Sequence, residues 1–164
     1  MKTGSILSAL LIGAASLAVL MFTAPFAAPY GAYAHIGGAI GIMDGQWELS
    51  FPDVMYALGD MVCHQQWERS VILNGSQMPL CTRCTFAAIG IAAGALIPLL
   101  HRDIGGKAAL IAGTALLSVT AADWMIQASL GTAFIPSLAV TGAAGGIGLS
   151  LLLYWYLEYG NGDK

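Results

Sequence analysis

Pro79-Leu80-Cys81-Thr82-Arg83-Cys84-Thr85-Phe86-Ala87-Ala88-Ile89-Gly90-Ile91-Ala92-Ala93-Gly94-Ala95-Leu96-Ile97-Pro98-Leu99-Leu100 passes from a cysteine motif straight into an apolar run. Hydrocarbon about 30 Å thick is crossed at about 1.5 Å per residue, so a spanning helix needs roughly 20 residues. The apolar part, 85–100, is near the short limit and becomes comfortable only if the helix starts near Cys81. The cysteines then sit where a loop becomes a membrane helix.

The surrounding chain is of the same kind. It has 164 residues, 57% hydrophobic and only 9% charged, against roughly 25% charged in a soluble domain. Three more stretches are long and apolar enough to span: 6–24, closed near Pro25 and Pro29; 108–130; and 135–157, which ends in Tyr154, Trp155, Tyr156 and Tyr159. Such rings favour the headgroup level. The expected fold is all-α: one domain over 1–164, an integral bundle of about four transmembrane helices in a lipid bilayer. Lys2, the first apolar run and Ala32-Tyr33-Ala34 also describe a cleavable signal peptide, which is the alternative for that segment. A net charge of −3 without a block of Lys or Arg leaves no footprint for nucleic acid or for a polybasic lipid-binding patch.

Basic residues beside spans prefer the cytoplasm. Four spans with Lys2 inside also place Arg102, Lys107 and Lys164 inside. Arg69 and Arg83 then lie outside with Asp44, Glu48, Asp53, Asp60 and Glu68. The expectation is a plasma-membrane protein with both termini cytoplasmic and the loop 30–84 extracytoplasmic, where thiols can oxidise. That loop opens with Gly31, Gly37, Gly38, Gly41 and Gly45, a flexible part. Order resumes at Ser50-Phe51-Pro52-Asp53, an N-cap with an acid three positions on. Val54, Leu58, Met61 and Val62 follow at helical spacing, predicting an amphipathic helix over 51–67, on the membrane or folded over the bundle. Asn74-Gly75 is a turn signal that doubles the chain back toward Cys81. Gly90 with Gly94, and Gly142 with Gly146, offer faces on which helices approach closely.

All three cysteines fall between positions 63 and 84. A helix N-terminus and Arg83 favour thiolates at Cys81 and Cys84, which either bind a soft metal or exchange with a disulfide. Cys63 and His64 supply what a tetrahedral Cys₃His zinc site lacks. Adjacent side chains diverge, so His35 is the reserve ligand, His101 being expected across the membrane. Asp60 and Glu68 stand at i−4 and i+4 from His64 on a helical reading, where a carboxylate holds the second imidazole nitrogen. Arg69 and Arg83 offset thiolate charge. Asp123 is the outlier of its span, since a carboxylate there costs about 2.5–3.5 kcal/mol on insertion scales. Gln127 lies one turn on, and the pair supports the site from below or simply ties helices through Thr120, Arg83 or a carbonyl. Met55, Met61, Met78 and Met125 make a soft copper(I) site conceivable, though most methionines here read as filler. Asn74-Gly75-Ser76 fits a glycosylation acceptor. The chain has no serine-hydrolase elbow, phosphate loop, haem-attachment motif or nucleotide fingerprint.

Cys63-His64-Gln65, Glu68-Arg69-Ser70, Pro79-Leu80-Cys81-Thr82-Arg83-Cys84-Thr85, Asp123 with Gln127, and Thr141-Gly142 together resemble the membrane-protein family called domain of unknown function 2085. The resemblance implies a small bundle with a shared polar site and brings no activity with it. Two positions depart from its pattern. Phe86 stands where a glycine is usual and should crowd the helix start; Val140 stands where an Arg often precedes the Thr-Gly, removing a possible partner for Asp123.

The leading reading is a zinc site near the extracytoplasmic surface, with Cys63, Cys81, Cys84 and His64 as ligands. An activated water needs an open coordination position, so the pattern accommodates a structural and a catalytic metal alike. A second reading has no metal: a thiol-disulfide oxidoreductase in which Cys81 and Cys84 exchange a disulfide and Cys63 shuttles it. A third is a non-enzymatic subunit whose glycine faces dock a membrane partner or a second copy.

Overall fold

The computed structural model describes residues 3–36, 48–101 and 104–160. Lys2, Gly37, Gly38, Gly41, Asp44, Gly45, Arg102 and Lys164, which entered the orientation and loop readings above, lie outside the described residues.

Among the described residues, four helices are long and apolar enough to cross a membrane. They are α1 (Thr3–Thr23), α3 (Thr82–Leu100), α4 (Gly106–Leu130) and α5 (Ile135–Trp155), and α5 runs on through a wider turn at Tyr156–Gly160. A shorter helix, α2 (Phe51–Val62), and a hairpin of β1 (Ile72–Leu73) with β2 (Ser76–Gln77) lie between α1 and α3. The span after the cysteine motif does start at Thr82, with Cys81 in the capping position. The crowding expected from Phe86 is not seen: the helix passes through this half-buried residue uninterrupted.

Helix α5 packs against both α3 and α4, and α1 packs against α3. Small residues set the α3–α5 crossing. A methyl on Gly90 would overlap the Ala143 carbonyl, and one on Gly146 the Ala87 carbonyl. Gly113 and Gly148 do the same for α4 and α5. Ser150 Oγ donates to the Ile91 carbonyl at 2.9 Å and Thr120 Oγ1 to the Thr141 carbonyl at 2.7 Å, so hydroxyls pin both crossings. In hydrocarbon, dispersion contact between close backbones and such bonds replace the hydrophobic drive available in water.

The terminal aromatics divide. Tyr156 and Tyr159 are exposed, as headgroup rings would be, but Tyr154 is buried with Leu7, Ala95 and Ala109 in the core cluster at that end. Its hydroxyl reaches the Ile104 carbonyl at 3.3 Å, which satisfies the one polar atom it takes inside.

At the opposite end, Ser50 Oγ caps α2 by accepting from the Asp53 N–H, as its position predicts. The helix is shorter than expected, stopping at Val62 because Cys63 turns extended (φ −143°, ψ 144°). Its stripes also fall differently: Leu58, Met61 and Val62 are exposed, while Met55, Tyr56, Gly59 and Asp60 are buried. The exposed apolar stripe and the buried inner face make α2 amphipathic, as expected, with Met55 and Tyr56 clustered with Met21 and Ala24 at the end of α1. Asn74 (φ 50°) and Gly75 (φ 71°) make the hairpin turn in the left-handed region. Asn74 Nδ2 donates to the Pro25 and Ala28 carbonyls at 2.9 and 3.1 Å, fastening the turn to the end of α1.

Candidate metal centre

The site is built where α2 ends and α3 begins. Gly59 allows the approach, because a methyl there would overlap the Pro79 carbonyl and the Gln65 side chain. Past Val62 the chain reverses through Gln65 (φ 44°), whose amide is buried and donates to the Tyr56 carbonyl at 2.8 Å and the Pro79 carbonyl at 2.7 Å. Gln77 Nε2 donates in turn to the Gln65 carbonyl, and the Tyr56 hydroxyl to the Gln77 carbonyl. Two glutamines and a tyrosine thus clamp the segment carrying Cys63 against the segment carrying Cys81. Tyr33 stacks on Tyr56 with ring centroids 3.8 Å apart, and its hydroxyl donates to Asp53 Oδ1 at 2.7 Å. Burial, then that bond, pushes the Tyr33 hydroxyl up to about 12.

The clamp brings the three sulfurs together. The Sγ atoms of Cys63, Cys81 and Cys84 all lie within 4.8 Å of one another, Cys63 buried and the other two half-buried, all as free thiols. The Cys81 N–H points at Cys63 Sγ at 3.3 Å. Hydrogen bonds from the neighbouring thiols of Cys63 and Cys84 hold the Cys81 thiol far below its usual value, and the charge of Arg69 adds to this. Cys63 is pushed up, first by its bond to Cys81.

The other expected residues separate into groups. His64 is exposed and lines the cavity of about 140 Å³ beside the sulfurs, but its nitrogens are outside the close-set ligand atoms. His35 stacks on Trp67 at 4.0 Å between centroids, which gives the reserve ligand a different role. His101 caps the far end of α3, as expected of a residue on the other side. Because α2 stops at Val62, the i−4 and i+4 argument for Asp60 and Glu68 does not hold: Asp60 is buried in the last helical turn and Glu68 is exposed in a short 3₁₀ turn. Arg69 and Arg83 both line the cavity. Met55 and Met78 fill the hydrophobic cluster that includes Cys63, whereas Met61 and Met125 are exposed.

Asp123 and Gln127 do lie below the site, through Arg83. The Arg83 guanidinium pairs with Asp123, which also accepts from Gln127 Nε2 at 2.9–3.0 Å, from Thr141 Oγ1 at 2.9 Å and from Ser137 Oγ. One carboxylate thereby joins α3, α4 and α5. Val140, the position expected to matter to Asp123, faces outward and is 70% exposed. Gln65, Gln77, Tyr56 and Ser137 were not singled out from sequence. Gln65 carried a signal, lying within the Cys-His-Gln pattern, but nothing local said that its amide turns inward.

The family described as "Predicted membrane protein (DUF2085)" matches residues 63–152, more than half of the chain and the part that contains all three cysteines and Asp123. No curated protein and no solved structure is matched.

Proposed function

This chain belongs to the DUF2085 family of predicted membrane proteins, and from that premise we propose that it is a metal-binding membrane protein holding one zinc ion on Cys63, Cys81 and Cys84. The carrying observation is the third sulfur. A disulfide needs two, and here a third from a distant segment lies within 4.8 Å of both, fixed there by a buried clamp. Tetrahedral zinc with Zn–S bonds of about 2.3 Å sets sulfurs about 3.8 Å apart, inside that limit. The N–H of Cys81 on Cys63 Sγ and the low thiol at Cys81 both favour the thiolate form that a metal requires. The fourth position faces the cavity that His64 lines, and His64 is the ligand we assign to it. The site lies on the extracytoplasmic side of the plasma membrane in this reading, with both termini cytoplasmic; Lys107, at the start of α4, is at the opposite end of the bundle.

Elemental analysis of protein purified in a mild detergent, with thiols counted before and after chelation, tests this. About one zinc per chain, and three thiols that become reactive only on chelation, is the expected result. A reducible Cys81–Cys84 bond without metal would replace this reading with thiol exchange. A stoichiometric partner whose assembly ignores Cys→Ser changes would replace it with a structural subunit.

A further inference from the structure

The cavity beside the sulfurs has walls of two kinds. One carries donors, Arg69, Arg83, His64 and Gln66, with no carboxylate among the lining residues. The other carries Val62 and Trp124, 63% and 56% exposed. Val62 ends the outward apolar stripe of α2, and Trp124 lies on a membrane-spanning helix, so this mouth is continuous with the surface that meets lipid.

Charge alone does not account for the donors. Three thiolates against a divalent ion leave one negative charge, which Arg69 balances; Arg83 is balanced by Asp123. What remains is hydrogen-bonding capacity. Arg69 has no ion pair among the described residues, and the Arg83 Nε–H is buried without an acceptor among them. Arg69 therefore offers the cavity a guanidinium with no carboxylate on it, and an acceptor-rich group entering this space gives its donors partners. Guanidinium forks match the paired oxygens of a phosphate, and the apolar mouth matches an acyl chain.

We propose that the cavity binds the phosphate head of a membrane phospholipid, held by Arg69 and Arg83 beside the sulfur triad, with the chains leaving between Val62 and Trp124. This deepens the zinc reading and rests on it only for what the head group faces at the back wall. The phosphate brings its own negative charge to these guanidiniums, so the binding should weaken as salt rises.

The test uses the full chain in a non-ionic detergent, with metal content measured on every sample. The probes are short-chain phosphatidylglycerol, the matching diacylglycerol and inorganic phosphate, followed by calorimetry and native mass spectrometry. The expected result is saturable one-to-one binding of the phospholipid only, weakened about tenfold or more by Arg69→Gln. Val62→Trp narrows the mouth without touching a sulfur and should weaken lipid binding at unchanged metal content, with an unaltered melting profile as the folding check. Equal binding of diacylglycerol would mean that the phosphate is not read, and equal binding of inorganic phosphate that the chains are not; either overturns the proposal. So does an Arg69→Gln protein that folds and binds lipid as the parent does. Wild-type protein without metal that still shows Arg69-dependent lipid binding removes the zinc reading alone, and metal without lipid binding removes this one alone.

Discussion

Replacing Asp123 by Ala should unlock the bundle beneath the sulfur triad. The carboxylate accepts from α3, α4 and α5 at once, and the side chains of Arg83 and Asp123 are only 14% and 16% exposed. Two of the donors have somewhere else to go. Thr141 Oγ1 also reaches the Ser137 carbonyl at 2.7 Å, and Gln127 Nε2 lies 3.4 Å from Ser137 Oγ. The loss therefore falls mainly on the guanidinium. Removing one partner of a buried pair costs about 3–5 kcal/mol. Arg83 borders the cavity and can turn partly toward it, so the expectation is nearer 2–3 kcal/mol after discounting for that access. Replacing both partners, Arg83→Met with Asp123→Ala, leaves no stranded charge and should recover at least about 1 kcal/mol of the summed losses of the Asp123→Ala and Arg83→Met proteins. Denaturation in mixed micelles followed by circular dichroism reads all four proteins on one scale. An Asp123→Ala protein within about 0.5 kcal/mol of the parent, or a double variant that is simply additive, would refute the idea that this carboxylate ties three helices.

The glycine faces make an opposed pair of predictions: Gly146→Ala meets the Ala87 carbonyl and should cost about 1–3 kcal/mol. Gly13→Ala meets nothing within 4 Å inside α1 and should gain about 0.5–1 kcal/mol, both read by the same denaturation. Asn74→Ala removes two bonds to the end of α1 and a residue at ease with φ 50°; a loss of about 1–3 kcal/mol is expected, with faster proteolysis at the hairpin as the local readout. Tyr33 ionises in the folded state only near 12, against about 10 when unfolded, so its contribution is whole below about pH 10 and fades as pH rises toward 12. Absorbance at 295 nm, compared between the parent and Tyr33→Phe, should show Tyr33 ionising near pH 12 together with loss of α2 structure; its ionisation near pH 10 with the fold intact would contradict this.

Much of the fold was legible because lipid imposes a length rule. The four spans followed from apolar runs, and the true start of α3 from the shortness of 85–100, which forced the cysteine motif into the helix. The meeting of Cys63 with Cys81 and Cys84 was legible from Asn74-Gly75, since a two-residue turn leaves few ways to return. What failed was local geometry with no periodic signature. Nothing in Val62-Cys63-His64 announces that the helix stops one residue before the cysteine, and with that stop the helical argument for Asp60 and Glu68 was lost. The outward turn of Leu58, Met61 and Val62 misleads for a related reason: in a membrane protein the apolar stripe of a surface helix faces lipid as readily as core. Asp123 was recognisable by its cost, but its main partner was one of three offered, and only the packing of α3 and α4 against α5 selects Arg83.

Zinc K-edge absorption spectroscopy on the purified protein counts sulfurs directly, and so bears most closely on the claim that three thiolates from two chain segments share one ion. The account predicts three sulfurs at about 2.3 Å with one lighter ligand at about 2.0–2.1 Å, falling to two sulfurs in Cys63→Ser. A wild-type spectrum with two sulfurs or fewer, or one unchanged by Cys63→Ser, would contradict it.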